Sequence, residues 1–148
     1  MRRVLVAVVT AAVVLTACET MELEREKRFR LAVSGLQVSD VGAAIAQAAK
    51  ESEWKLTPKG ERQFEAEFTR GDAWVKVQLS YDQLGVNVSY VDSRSLNYDG
   101  YYISSQYDQC LNQFVLTVRQ QLSSDQRSGR LALPESRPAV APEPSATP

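Results

Sequence analysis

The side chains with chemistry to offer are two cysteines, several carboxylates and a cluster of tyrosines, in a chain of 148 residues that has no histidine. Lack of an imidazole removes the Ser-His-Asp and Cys-His nucleophile pairings and the usual mixed zinc sites. Cys110 falls in an apolar helical stripe with no cationic residue evident beside it in sequence, so a buried structural thiol is expected there. Asp92, Asp99 and Asp108 surround an irregular polar stretch. Two carboxyl groups about 5–9.5 Å apart suffice to cleave a glycosidic bond, yet acidic residues in loops and at helix starts commonly solvate and cap instead. Asp92, Asn97 and Asp99 also offer oxygens to calcium, at a spacing that fits no EF-hand loop. No catalytic residue, metal ligand or cofactor is assigned.

Tyrosine is the feature with most binding potential. Tyr90, Tyr98, Tyr101, Tyr102 and Tyr107 gather around the end of the last long strand, the loop after it and the start of the second helix. A phenol combines apolar area with a hydroxyl and is common at recognition surfaces. Tyr90 and Tyr107 are expected in the core, leaving Tyr98, Asp99, Tyr101 and Tyr102 as the candidate binding surface. Arg70-Gly71-Asp72 spells an adhesion tripeptide, but Gly-Asp between two alternating strands is what a hairpin turn requires.

These side chains are carried by a short domain whose two ends have a different character. Arg2 and Arg3 form a positive n-region, Val4 to Val14 an apolar run and Leu15-Thr16-Ala17 a small-residue approach to cleavage, the layout of a secretion signal over residues 1–17. The apolar run is about half the roughly 20 residues that span a bilayer. Residues 18–27 read as Cys18 and a polar tether, whose nine residues after the cysteine reach about 30 Å when extended. From Ser123 to Pro148 the chain turns to Ser, Pro, Ala, Glu and Arg, and a disordered tail is expected.

The domain proper, residues 28–122, switches hydrophobic period in a readable order. Phe29, Leu31 and Val33 alternate with arginines. Val41, Ile45, Ala48 and Ser52 recur at helical spacing over about 39–52, with Ser39 or Asp40 as cap. Strands follow around Trp54 and Leu56, Phe64 to Phe68, Val75 to Leu79 and Val86 to Tyr90, with Pro58-Lys59-Gly60 as a turn. A second helix runs from Ser105 to Leu122, with Ser105 and Asp108 spaced like a capping box. The order β-α-β-β-β-β-α predicts an α+β fold: a four- to five-stranded antiparallel meander with both helices on one face.

Leu15-Thr16-Ala17-Cys18 resembles the lipobox of bacterial lipoproteins, which implies diacylglycerol on the Cys18 sulfur, cleavage before it and a further acyl chain on the new amine. Two or more chains anchor stably. The segment NYDGYYISSQYDQCLNQF and the helix ending in EWKLTP resemble a family of small bacterial lipoproteins of unknown function, over about Val38 to Leu122. Ser104 stands where that family tends to have His, and Cys110 where it tends to have Trp.

Of 17 basic residues, 15 remain without Arg2 and Arg3, against 18 acidic, so the chain from Cys18 onward carries −3 and shows no basic stripe for nucleic acid. With Cys18 lipidated, Cys110 is the last thiol and no internal disulfide forms. The expectation is a non-catalytic lipoprotein of the cell envelope, held to a membrane through Cys18 and binding an envelope protein or peptidoglycan. The alternative is an envelope glycan hydrolase using paired carboxylates. Glu19, which is not Asp, favours the periplasmic face of the outer membrane over the inner membrane.

Overall fold

The computed structural model describes residues 19–130. Residues 1–17, Cys18 and the chain beyond Arg130 lie outside the described residues, so the secretion signal, the lipidation site and most of the tail are not placed by it. The elements are β1 (Thr20–Glu22), β2 (Glu26–Arg30), α1 (Val38–Glu51), β3 (Lys55–Gly60), β4 (Gln63–Arg70), β5 (Ala73–Tyr81), β6 (Gly85–Arg94), β7 (Tyr102–Ser104) and α2 (Gln106–Arg127).

Alternation builds the main sheet. On β5, Val75, Val77 and Leu79 are buried while Lys76 and Gln78 turn the other way, and β4 and β6 match them with Ala66, Val86 and Val88. The antiparallel order is β2-β6-β5-β4-β3, so β3 to β6 form a meander and β2 returns to pair with its last strand. Both helices cover the apolar face. α1 contributes Val41, Ile45 and Ala48, and α2 contributes Leu111, Phe114, Val115, Val118 and Leu122. Each of these Val, Leu, Ile and Phe side chains, fully buried, stabilises the fold by roughly 1.5–3 kcal/mol. The expected α+β meander with two helices on one face is the observed one.

The opposite face is charged and solvated. Lys76 bridges Glu67 at 2.9 Å and Glu65 at 3.5 Å. The β5–β6 hairpin is organised by Asp82, whose Oδ1 accepts from the amides of Leu84 and Gly85 at 2.8 and 2.9 Å while Arg28 of β2 holds the same carboxylate at 2.9 Å. Gly85 is required here, because a Cβ at this position would lie 2.6 Å from the carbonyl oxygen of Phe29.

Four boundaries differ from the sequence expectation. Pro58-Lys59-Gly60 is not a turn. These residues finish β3, an edge strand, where a missing N–H costs no ladder bond, and the turn falls at Glu61-Arg62. β2 stops at Arg30, with its terminal carbonyl accepting from Arg119 of α2 at 2.7 and 3.2 Å. α1 begins at Val38, and Asp40 closes its first turn by accepting from the Gln37 amide at 2.9 Å. α2 continues through Ser123 to Arg127, so these residues are helix rather than tail.

The largest difference is at the N-terminus. The stretch read as a tether contains β1, which pairs antiparallel with β7 in register Thr20↔Ser104, Met21↔Ile103 and Glu22↔Tyr102. Leu23 beyond it is buried, and β2 already begins at Glu26. Among the described residues, folded structure therefore starts at residue 20, not 28.

Candidate functional site

Two places could meet a ligand: the loop that joins β6 to α2, and a groove beside α2.

The loop is shaped by its own polar groups. β6 carries a bulge at Val91, since Lys76 pairs with Asp92 and Val77 with Tyr90. The chain leaves the sheet after Arg94 and passes through two left-handed residues, Ser95 and Asn97. Leu96 between them is buried, and its carbonyl accepts from Ser104 at 2.8 Å. Asp99 then folds the tip: its Oδ1 accepts from the amides of Tyr102 at 2.7 Å and Tyr101 at 2.9 Å. Those two amides, Tyr102 first, hold the Asp99 carboxyl below its ordinary range.

The candidate surface splits in two. Tyr98 turns inward: it packs on Tyr90 with ring centroids 5.2 Å apart, accepts from Arg25 at 2.6 Å and donates to the Gly100 carbonyl at 3.1 Å. Tyr90 in turn meets Tyr107 edge-on at 5.8 Å, and burial pushes the Tyr107 phenol up. Tyr101 and Tyr102 turn outward, 55% and 47% exposed, with perpendicular rings 4.8 Å apart. The Tyr101 hydroxyl donates to Glu22 at 2.5 Å, and that carboxylate raises its pKa. Tyr98, Asp99, Tyr101 and Tyr102 thus share one loop, but only Tyr101 and Tyr102 present a free aromatic surface.

The carboxylates are occupied by structure. Asp108 pairs with Lys27 of β2 at 2.5 Å and accepts from Asn112 at 2.6 Å, in place of the expected capping box, for Ser105 makes no side-chain cap bond. Asp92 accepts from the Ser93 amide at 2.8 Å. Asp99 is held in its ionised form, the reverse of what a general acid needs. Among the described residues no three His, Cys, Asp or Glu side chains cluster to hold a metal ion.

The groove was not legible as a site. It runs between α2, the end of α1 and the β4–β5 hairpin, has a volume of about 1010 Å³, and is lined by Trp54, Phe68, Arg70, Trp74, Cys110 and Gln113 among others. Its floor is aromatic: Trp54 stacks on Phe68 at 5.1 Å and meets Phe114 at 5.3 Å. Cys110 opens into it half-buried, with Arg70 close enough to favour its thiolate, a neighbour that sequence did not reveal. Burial outweighs Arg70 and raises the Cys110 pKa, so the thiol is a poor nucleophile at neutral pH. Sequence gave one signal: Trp54, Phe68 and Trp74 flank turns, but nothing in their spacing announces that one groove collects them.

No protein-family model matches this chain, nor does any curated protein. Among the described residues, no helix is long and apolar enough to cross a membrane.

Proposed function

We propose that this chain is a bacterial envelope lipoprotein, anchored through lipid on Cys18, whose domain is a non-catalytic binding or assembly module. The observation that carries it is the junction between anchor and fold. The carbonyl of Glu19, the residue next to Cys18, accepts from the Ser105 amide at 2.9 Å, and β1 starts at Thr20. A fold whose ordered contacts begin one residue after the proposed anchor suits a domain seated at a bilayer. The lipobox pattern, the secretion signal and the resemblance to small bacterial lipoproteins support the same reading, with the periplasmic face of the outer membrane as the favoured location.

The binding role rests on the aromatic groove, whose mixture of half-buried ring, guanidinium and amide suits a protein segment or an envelope polymer such as peptidoglycan. Enzymatic use of the loop carboxylates has no support in their geometry, since each is committed to local hydrogen bonds or to Lys27.

The test is fractionation. Cys18→Ala should move the protein from the membrane to the soluble fraction while leaving its circular dichroism and melting temperature unchanged. Retention in the membrane would overturn the anchor. For the groove, a photo-crosslinking residue at Gln113 should capture a defined protein or glycan fragment in intact cells, whereas one at Gln78 on the charged face should not. Equal capture would remove the groove from consideration.

A further inference from the structure

Glu19 and Thr20 are tied into the fold by the Ser105 amide and by β1–β7 pairing, so the chain between the anchor and the domain has no slack. Tyr102 sits opposite Glu22, which is four residues from Cys18, so a reach of about 13 Å along the chain plus about 5 Å across the pair keeps it within roughly 18 Å of the anchor. Tyr101 and Tyr102 are two of the five large apolar side chains that the described residues leave exposed. They lie side by side, and their rings are not covered by any other aromatic group.

Another of the five, Leu84, marks the opposite end. It lies in the β5–β6 hairpin, where its carbonyl accepts from Leu31, beyond the end of β2 that is farther from β1. It is 71% exposed but is a lone side chain beside Asp82 and Arg28.

We infer that Tyr101 and Tyr102 seat in the headgroup region of the membrane that carries the lipid, so that β1 and β7 lie along the bilayer surface rather than standing off it. This rests on the reading that Cys18 is lipidated. Tyrosine is suited to that zone because its ring prefers an apolar surrounding while its hydroxyl stays wet. The attraction is interfacial rather than coulombic: Glu22 and Asp99 border the pair, and the chain from Cys18 onward is net acidic, so an anionic lipid surface is not what the site selects. Zwitterionic lipid is the surface it fits. A single covalent tie leaves a domain free to rotate; a second contact on the same side removes most of that freedom.

The experiment uses the lipidated full chain in phosphatidylcholine vesicles whose acyl chains are brominated near the headgroup end, with Tyr101→Trp compared against Leu84→Trp. Trp54 and Trp74 contribute equally to both. Flotation first establishes that each variant is on the vesicles. Bound protein should then show a loss of emission on bromination with Tyr101→Trp that exceeds the loss with Leu84→Trp. Vesicle-bound protein with equal losses overturns the orientation and leaves the anchor standing. Failure to float overturns the anchor, and this inference with it.

Discussion

The two sheets formed by the described residues are stabilised by opposite means. The five-stranded sheet is built from strands of five to ten residues joined mostly by short turns, and its alternating faces dictate which side is covered. The β1–β7 ribbon joins two three-residue strands whose paired residues are 80 to 84 positions apart, with Ile103 as its one fully buried member. Closing so long a loop for so few bonds is unfavourable by itself. The ribbon stands because the larger core already holds α2 in place and because Leu23, Leu96 and Ile103 extend that core beneath it. It follows that the ribbon depends on the sheet more than the sheet depends on the ribbon, the two being joined through Ile103.

Phe114→Ala should produce the largest effect, a loss of about 3–5 kcal/mol in urea unfolding, because the ring is 1% exposed and packs against Trp54. Ile103→Ala should cost about 2–5 kcal/mol if the ribbon is continuous with the core. A loss well below that range would mean that the ribbon is an appendage. Gly85→Ala should cost about 1–3 kcal/mol, since the new methyl group meets backbone rather than a movable side chain. Its amide exchange should rise in β2 and leave β4 unchanged.

The smallest effect is local and depends on pH. Asp99 has its carboxyl held below the ordinary range by the amides of Tyr102 and Tyr101, so its contribution is complete above the unfolded carboxyl pKa and is lost as pH falls through the lower folded value. Protection of the Tyr101 and Tyr102 amides, measured against their intrinsic exchange rates, should therefore fall in acid while that of Val77 does not. A simultaneous fall would indicate that the ribbon and the sheet unfold as one unit.

The contrast also explains what sequence could convey. Val75, Val77 and Leu79 alternate strictly, and Val41, Ile45 and Ala48 repeat at helical spacing, so the meander and α1 were legible from local pattern. β1 was not, because Thr20-Met21-Glu22 shows no alternation that distinguishes a strand from a polar tether; its partner lies at Tyr102–Ser104. The end of α2 is not legible in the sequence because Ser123, Ser124 and Asp125 are poor helix formers, carried along by a helix already docked through Leu122. The tyrosines were found as a group, but their division into an inward and an outward set depends on Arg25 and Glu22, both of which come from the stretch read as tether. The groove needs three elements at once, and no single segment announces it.

Pro58 on β3 and Arg119 at the end of β2 take on a further meaning if the domain is confined to a membrane. Proteins restricted to a plane meet copies of themselves far more often than in bulk solution, and an open strand edge is a template for pairing between molecules. One edge of this sheet carries a residue with no N–H to offer, flanked by Lys55 and Lys59, and the other has its last carbonyl already taken by a guanidinium. The sheet is thus equipped to remain monomeric under crowding, and Pro58→Val together with Lys59→Val should convert it into a protein that self-associates on vesicles.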